Sequence, residues 1–268
     1  MPLSTAILST PAAIEPTRAL RALRARIDRH FETIDEEVPV GPLRVRFTRV
    51  ADPQRVLDDL CRRIDAHEKS TGQRVAGDQL GLPYWAELWD SAAGVGQWLL
   101  EHRDDWNPRG GDSLTAKPQA ASRAALPRVF DLGCGMGLAG TVAALLGAEV
   151  LLGDIETACL PFAHLNAARY GGERVGVRRV DWQRDDLGER FGLILGSDVL
   201  YDKTQWEHLD PFFRRHLAEG GRVLLGEPGR ISGDLFQPWA RERGWTLKHH
   251  VQRVPTRATP IRLFELTT

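Results

Sequence analysis

Cysteine is scarce in this chain: three residues in 268, at positions 61, 134 and 159. They are odd in number, widely spaced, and outside any CxxC pair or histidine cluster. That excludes a disulfide framework and gives no zinc-type ligand set, so no metal is assigned. It also points to a reducing compartment, with the cytoplasm as the expected location. Long apolar runs are missing too. None approaches the ~18 residues that a membrane-spanning helix needs, so no membrane partner is expected. Net charge is nearly absent, at −1 from 35 Lys+Arg and 36 Asp+Glu. No global field gathers nucleic acid or an anionic surface. Met1–Pro16 lacks the basic start and apolar core of a secretory signal. The arginine-loaded segment Thr17–Glu37 has one trait of a mitochondrial transit peptide. Asp28, Glu32, Asp35, Glu36 and Glu37 argue against that reading, which leaves the mitochondrial matrix as the alternative location.

With 42% hydrophobic and 26% charged residues, the composition is that of a globular protein with one large α/β domain and an extension. Residues 1–80 read as an accessory extension. Met1–Pro16, rich in small residues and proline, is expected to fray. Leu20, Leu23, Ile27, Phe31 and Ile34 recur at helical spacing, predicting one amphipathic helix over Thr17–Glu37. Leu43–Val50 alternates apolar and polar residues after the Gly41-Pro42 turn, predicting a strand. Asp52-Pro53 supplies an N-cap and a first-turn proline for a helix carrying Val56, Leu57, Leu60, Cys61 and Ile64 on one face. The extension is thus expected to be helix–strand–helix.

Residues 81–268 carry the main domain. Segment 107–127, rich in Gly, Pro, Ser and Ala, reads as an exposed flexible insert with no chemistry. Strands are expected at Arg128–Leu132, Glu149–Gly153, Val175–Val180, Phe191–Ser197 and Arg222–Gly226. Helices follow from Leu138, over Thr157–Tyr170 and over Trp206–Ala218, the last closed by Gly220-Gly221. After a helix over Leu235–Arg243, Trp245–Arg253 and Ile261–Leu266 have no helix between them and so form an antiparallel hairpin. The fold class is α/β: a Rossmann-like, doubly wound, seven-stranded sheet, mostly parallel with a C-terminal antiparallel hairpin.

The chemistry concentrates at Asp131-Leu132-Gly133-Cys134-Gly135-Met136-Gly137, where a buried strand meets glycines and then a helix. Glycines permit a sharp turn and let a ligand approach the backbone. Two cofactors compete. Gly135-x-Gly137-x-x-Gly140 fits the GxGxxG of a dinucleotide fold, and Asp154 lies near the ribose-binding distance. Asp131-x-Gly133-x-Gly135-x-Gly137 fits instead the first motif of S-adenosylmethionine methyltransferases. A carboxylate ahead of the turn repels a pyrophosphate but suits an ammonium and a sulfonium. Asp154, at a strand end, can accept from both ribose hydroxyls. Asp181 and Trp182 offer a carboxylate for the adenine amino group and an indole for its ring. A solvated acid and ordinary loop packing are the structural alternatives. Trp85 and Trp89, beside Glu87, read as core packing or as a wall for a cationic group.

From Leu82 onward the chain resembles a class I, seven-β-strand methyltransferase. More narrowly it is similar to the protein-lysine methyltransferase group that includes the enzyme modifying the electron transfer flavoprotein beta subunit. Pro83-Tyr84-Trp85-Ala86-Glu87-Leu88-Trp89, Asp131-Leu132-Gly133-Cys134-Gly135, Asp181-Trp182 and Ser197-Asp198-Val199-Leu200-Tyr201 carry the resemblance, the last as a DxxY signature. Gly226-Glu227-Pro228-Gly229-Arg230 also looks like a stretch of the flavoprotein-modifying enzymes. The resemblance implies S-adenosylmethionine contacts from Trp89, Gly133, Gly135, Asp154, Trp182 and Ser197. With them stand the turn residues Asp131, Cys134 and Gly137, and Asp181. Asp198 and Tyr201 would face the acceptor, a protein lysine, with a small molecule as the alternative partner. An RNA acceptor would usually come with an Asn/Asp-Pro-Pro-Tyr-type sequence, absent here. The region before Leu82 and the segment Thr256–Leu266 do not match the group.

Overall fold

The computed structural model describes residues 17–75, 81–107 and 126–268. The expectations for Met1–Pro16 and for nearly all of the 107–127 insert lie outside them. Asn107 itself is described and buried, its side-chain amide donating to Leu146 O at 2.8 Å.

The N-terminal region departs from the expected helix–strand–helix. Helix α1 (Arg18–Asp28), capped by Thr17 Oγ1 accepting from Leu20 N, stops eleven residues in. Strand β1 (Thr33–Val40) follows and pairs antiparallel with β2 (Leu43–Val50), from Thr33 opposite Val50 to Val40 opposite Leu43. The apolar positions Phe31 and Ile34 extend the helical spacing by coincidence. The β-branched Thr33, Ile34, Val38 and Val40 favour extended chain. Cross-strand Arg49–Glu36 and Arg46–Asp35 pairs add to the register. Helix α2 (Pro53–Thr71) begins as expected, with Asp52 Oδ1 accepting from Gln54 N and Arg55 N.

Helix α3 (Asp90–Glu101), the short α4 (Arg103–Trp106), β3 (Arg128–Leu132) and α5 (Leu138–Leu145) lead into β4 (Glu149–Asp154) and α6 (Leu160–Gly171). Strands β5 (Val175–Arg179) and β6 (Phe191–Ser197) follow, then α7 (Trp206–His216), β7 (Leu217–Glu227), α8 (Ile231–Glu242), β8 (Thr246–Gln252) and β9 (Ile261–Thr267). The seven-stranded sheet runs β5-β4-β3-β6-β7-β9-β8, parallel through β7, with β9 antiparallel to both neighbours. One expectation shifts here. Gly220-Gly221 does not close α7 but lies inside β7, where the pairing with β6 slips between Phe191 and Leu193. A Cβ on Gly221 would stand 2.9–3.0 Å from Ala218 O and Gly192 O, so glycine is required at that irregularity.

Each face of the sheet covers its own core. One cluster joins Val129, Leu152, Leu193 and Leu224 to α3, α5 and α6, and includes Leu20, Ile27, Val45 and Phe47 of the N-terminal elements. The other joins Phe130, Ile194, Leu225 and Phe264 to α7 and α8 through Phe212, Phe213 and Phe236. The parallel strands end at one rim, and Leu132, Asp154 and Ser197 bring the chemistry-bearing residues there.

Candidate active site at the carboxyl rim of the sheet

Gly133, Gly135 and Gly137 take φ of +62°, +51° and +86°, the left-handed region that an L side chain rarely adopts. Cys134 N donates to Gly153 O at 3.0 Å and Gly137 N to Cys134 O at 2.8 Å, folding the turn onto β4. The glycines divide the work. A Cβ on Gly137 would lie 2.9 Å from Ala163 and 2.8 Å from Leu152, so this glycine lets α5 approach α6. A Cβ on Gly133 would meet Val199 Cγ1 at 2.9 Å and the Trp182 ring edge at 3.7 Å. The loop after β6 and the indole of Trp182 therefore close on the first glycine. Cys134 is half-buried, its thiol pushed up by burial.

Two carboxyl groups stand behind the turn. Asp131 is buried: its Oδ2 accepts from Gly140 N at 2.8 Å, while Oδ1 has no partner among the described residues. Burial, with Asp154 adding to it, pushes this carboxyl from 3.8 up to about 7. Asp154 Oδ2 accepts from Gly135 N at 2.8 Å and Oδ1 from Glu156 N at 2.9 Å; burial raises this group as well. Asp154 thus ties the turn to β4. Ser197 Oγ, at the end of β6, is also buried without a partner among the described residues. Trp182 Nε1 donates to Gln205 Oε1 at 3.1 Å. Asp181 Oδ1 caps its own turn by accepting from Gln183 N, with Oδ2 3.8 Å from Arg184 Nε.

These groups favour one of the two competing cofactors. A pyrophosphate would be brought against two buried carboxyl groups, one with an oxygen that lacks a donor, at heavy electrostatic cost. S-adenosylmethionine is cationic at sulfur and nitrogen, and its hydroxyls and amine supply the donors that Asp131 Oδ1 and Asp154 can accept. The residues present fit that group.

The loop after β6 adjoins the turn through Val199. Asp198 has φ +61°, the only positive value outside glycine among the described residues. Left-handed backbone off glycine is costly and clusters at functional sites. Here it turns the carboxylate out of the strand direction, with Asp198 N donating to Gly226 O at 2.7 Å. The carboxylate accepts from Arg230 Nε at 3.1 Å and Nη2 at 2.9 Å. Both lie in a cleft of about 440 Å³ lined also by Glu87, Leu88, Trp89 and Arg257. Trp89, expected on the cofactor side, lines this cleft with Asp198. Its Nε1 donates to Tyr84 O at 2.9 Å, and the Arg230 guanidinium lies 5.7 Å from its ring. Tyr84 links Trp89 and Tyr201, at ring distances of 6.5 and 6.0 Å, and both tyrosines are about half exposed. Partial burial and nearby carboxylates, Asp202 foremost, push the Tyr201 hydroxyl up. Trp85 takes the packing role: it is buried edge-on against Phe31 and tilted against Phe162.

Sequence reasoning singled out neither Arg230 nor Asn166. Arg230 ends the Gly226–Arg230 stretch, and its pairing with Asp198, 32 residues away, has no local signature. Asn166 is a buried polar residue on α6. Its amide accepts from Thr48 N at 2.8 Å and donates to Thr48 O and Met136 O, tying β2 to the glycine turn. A lone asparagine on an apolar helix face was the available signal.

The chain is similar to several known proteins. The profile of the lysine methyltransferase family matches residues 77–234. The electron transfer flavoprotein beta subunit lysine methyltransferase of Xenopus laevis is 33% identical over 159 residues, covering 56% of this chain and 54% of the relative. Protein N-lysine methyltransferase METTL21A of Danio rerio is 39% identical over 105 residues, 37% of this chain and 47% of the relative. The chain thus spans about half the length of the curated relatives it matches. Among solved structures, a human methyltransferase 10 domain containing protein superposes with a TM-score of 0.49 at 12% identity, over 81% of this chain and 98% of that one.

Proposed function

The chain belongs to the lysine methyltransferase family, and from that premise we propose that it N-methylates a lysine side chain of a protein, with S-adenosylmethionine as donor. The observation that carries this reading is the position of Asp198. Its carboxylate opens on the cleft, while its neighbour Val199 packs beneath Gly133 of the cofactor turn.

When bound, S-adenosylmethionine supplies a sulfonium methyl group for in-line transfer, the electron pair of the broken bond staying with sulfur. The protein's share is to hold an amine on that line and keep water away. Asp198 accepts a hydrogen bond from the acceptor nitrogen through a lone pair that Arg230 leaves free, fixing the direction of the nitrogen's own pair. Trp89, Tyr84 and Tyr201 form an aromatic wall along the acceptor's aliphatic stem. That wall is half exposed, which suits a side chain presented from another macromolecule rather than an enclosed small molecule. Asp131, Asp154 and Ser197 serve the cofactor side.

The test is transfer of labelled methyl from S-adenosylmethionine into a cell lysate, divided into protein, RNA and small-molecule fractions, with amino-acid analysis of the protein. Methyl-lysine in the protein fraction is expected. Label confined to small molecules, or found as another methylated amino acid, would sink the reading. Asp198→Ala should lower turnover by about 10²-fold with cofactor affinity unchanged within about twofold. Turnover within about threefold of wild type would remove Asp198 from the acceptor site.

A further inference from the structure

We propose that Arg230 is a positioning residue that neutralises Asp198, so that the cleft receives the acceptor lysine as the free amine instead of holding it as the ammonium. This inference rests on the lysine-acceptor reading above. Transfer requires that the ammonium first lose a proton to water. The nitrogen lone pair then forms the N–CH3 bond as the S–CH3 bond breaks with its pair left on sulfur. A lone carboxylate beside the nitrogen would oppose the first step, because an opposite charge within a few ångströms favours the charged amine. The acceptor would bind tightly and react slowly. A carboxylate already bridged by a guanidinium keeps lone pairs to orient the amine but offers little net charge to trap it.

The arrangement is built around that pairing. The Arg230 guanidinium meets Asp198 through two nitrogens, at 3.1 and 2.9 Å, the forked geometry that lysine cannot reproduce. Its backbone is fixed from both sides. The buried Glu227 accepts from Gly229 N at 2.9 Å and Arg230 N at 2.7 Å. Arg262, ion-paired with Glu227, donates to Arg230 O at 2.7 Å. Gly233 is required beside this clamp, since a Cβ there would lie 2.6 Å from Glu227 and 2.7 Å from Arg262.

The other charges facing Asp198 are few. Glu87 and Asp90 enter the cleft from the start of α3 and the segment before it, and Arg257 from the β8–β9 loop, 3.9 Å from Asp90. Asp154 and Asp202 act on the Tyr201 side. Without Arg230, three carboxylates (Glu87, Asp90 and Asp198) would face the single guanidinium of Arg257.

The experiment compares wild type, Arg230→Gln and Arg230→Lys. Methyl incorporation from tritiated S-adenosylmethionine into the protein fraction of a cell lysate is followed from pH 6.5 to 9.5, with lysate protein titrated at each pH. Calorimetric S-adenosylmethionine affinity and thermal unfolding check the fold and the cofactor side. For Arg230→Gln the rising limb of the rate should move alkaline by about one pH unit, giving a roughly tenfold deficit at pH 7 that largely closes by pH 9.5. The half-saturating protein concentration at pH 7 should fall at the same time, because the ammonium is now held more tightly. Arg230→Lys keeps the charge and should keep the limb within about half a unit. An unshifted limb in Arg230→Gln, or an equal loss at every pH, overturns the inference while leaving the lysine reading intact. Failure of the wild type to methylate lysine despite binding the cofactor overturns both.

Discussion

Asp131 places a carboxyl group where ionisation is costly, and the consequence can be measured without turnover. Its pKa is about 7 in the folded protein against 3.8 for the free side chain. Between those values the folded state keeps a proton that the unfolded chain has released. Its stability contribution is therefore full below pH ~4 and declines as pH rises to about 7, by about 4 kcal/mol in all. Urea unfolding between pH 4 and 8 should show that decline in the wild type and a flatter profile in Asp131→Asn. The same proton sets a second expectation. S-adenosylmethionine is cationic, so its affinity by calorimetry should strengthen as pH rises through about 7, with a proton released. Asp131→Asn should abolish that dependence, and an unchanged one would show that Asp131 does not face the cofactor.

Among the elements, the bond between β2 and α6 is the most exposed to test. Asn166→Ala strands three buried backbone groups, the N–H and C=O of Thr48 and the C=O of Met136. At roughly 1–3 kcal/mol for each stranded group, a loss of about 3 kcal/mol or more is expected in urea unfolding, with weaker cofactor binding because the turn loses a tether. A loss below about 1 kcal/mol would mean that water or local rearrangement replaces the amide. This link also marks the limit of what the sequence reveals. The strand β2, the Asp52 cap, the glycine turn and the acids at the strand ends were legible, because alternation, caps and turns are local. The hairpin partner β1 was not: Phe31 and Ile34 fall on the helical spacing, which hides the β-branched preference for extended chain that pairing with β2 then satisfies. Gly220-Gly221 misled for the same reason, since a glycine pair marks a helix stop or a strand irregularity alike. The Asp198–Arg230 pair and the Asn166 amide join residues 32 and 118 positions apart, and no local pattern announces such contacts.

At the scale of the molecule, the N-terminal elements are part of the same core as the sheet. Leu20, Ile27, Val45 and Phe47 share a cluster with α5 and α6, and Arg46 N and Thr48 N of β2 donate to Tyr170 and Asn166. A strand edge that would otherwise solicit another chain is thereby satisfied from within. Native-state hydrogen exchange should show β2 amides protected to the same degree as those of α6, both opening only with the global transition. Much faster exchange in β2 would identify the N-terminal layer as a separately melting unit.

The two hairpins have unequal duties in consequence. The N-terminal one braces the glycine turn through Asn166, while the C-terminal one, through Arg262 and Glu227, braces the loop that brings Arg230 to Asp198. The glycine turn and the Asp198 cleft are thus braced by different hairpins. Changes in the C-terminal hairpin therefore reach the Asp198–Arg230 side of the cleft, while the glycine turn keeps its separate tether to the N-terminal one.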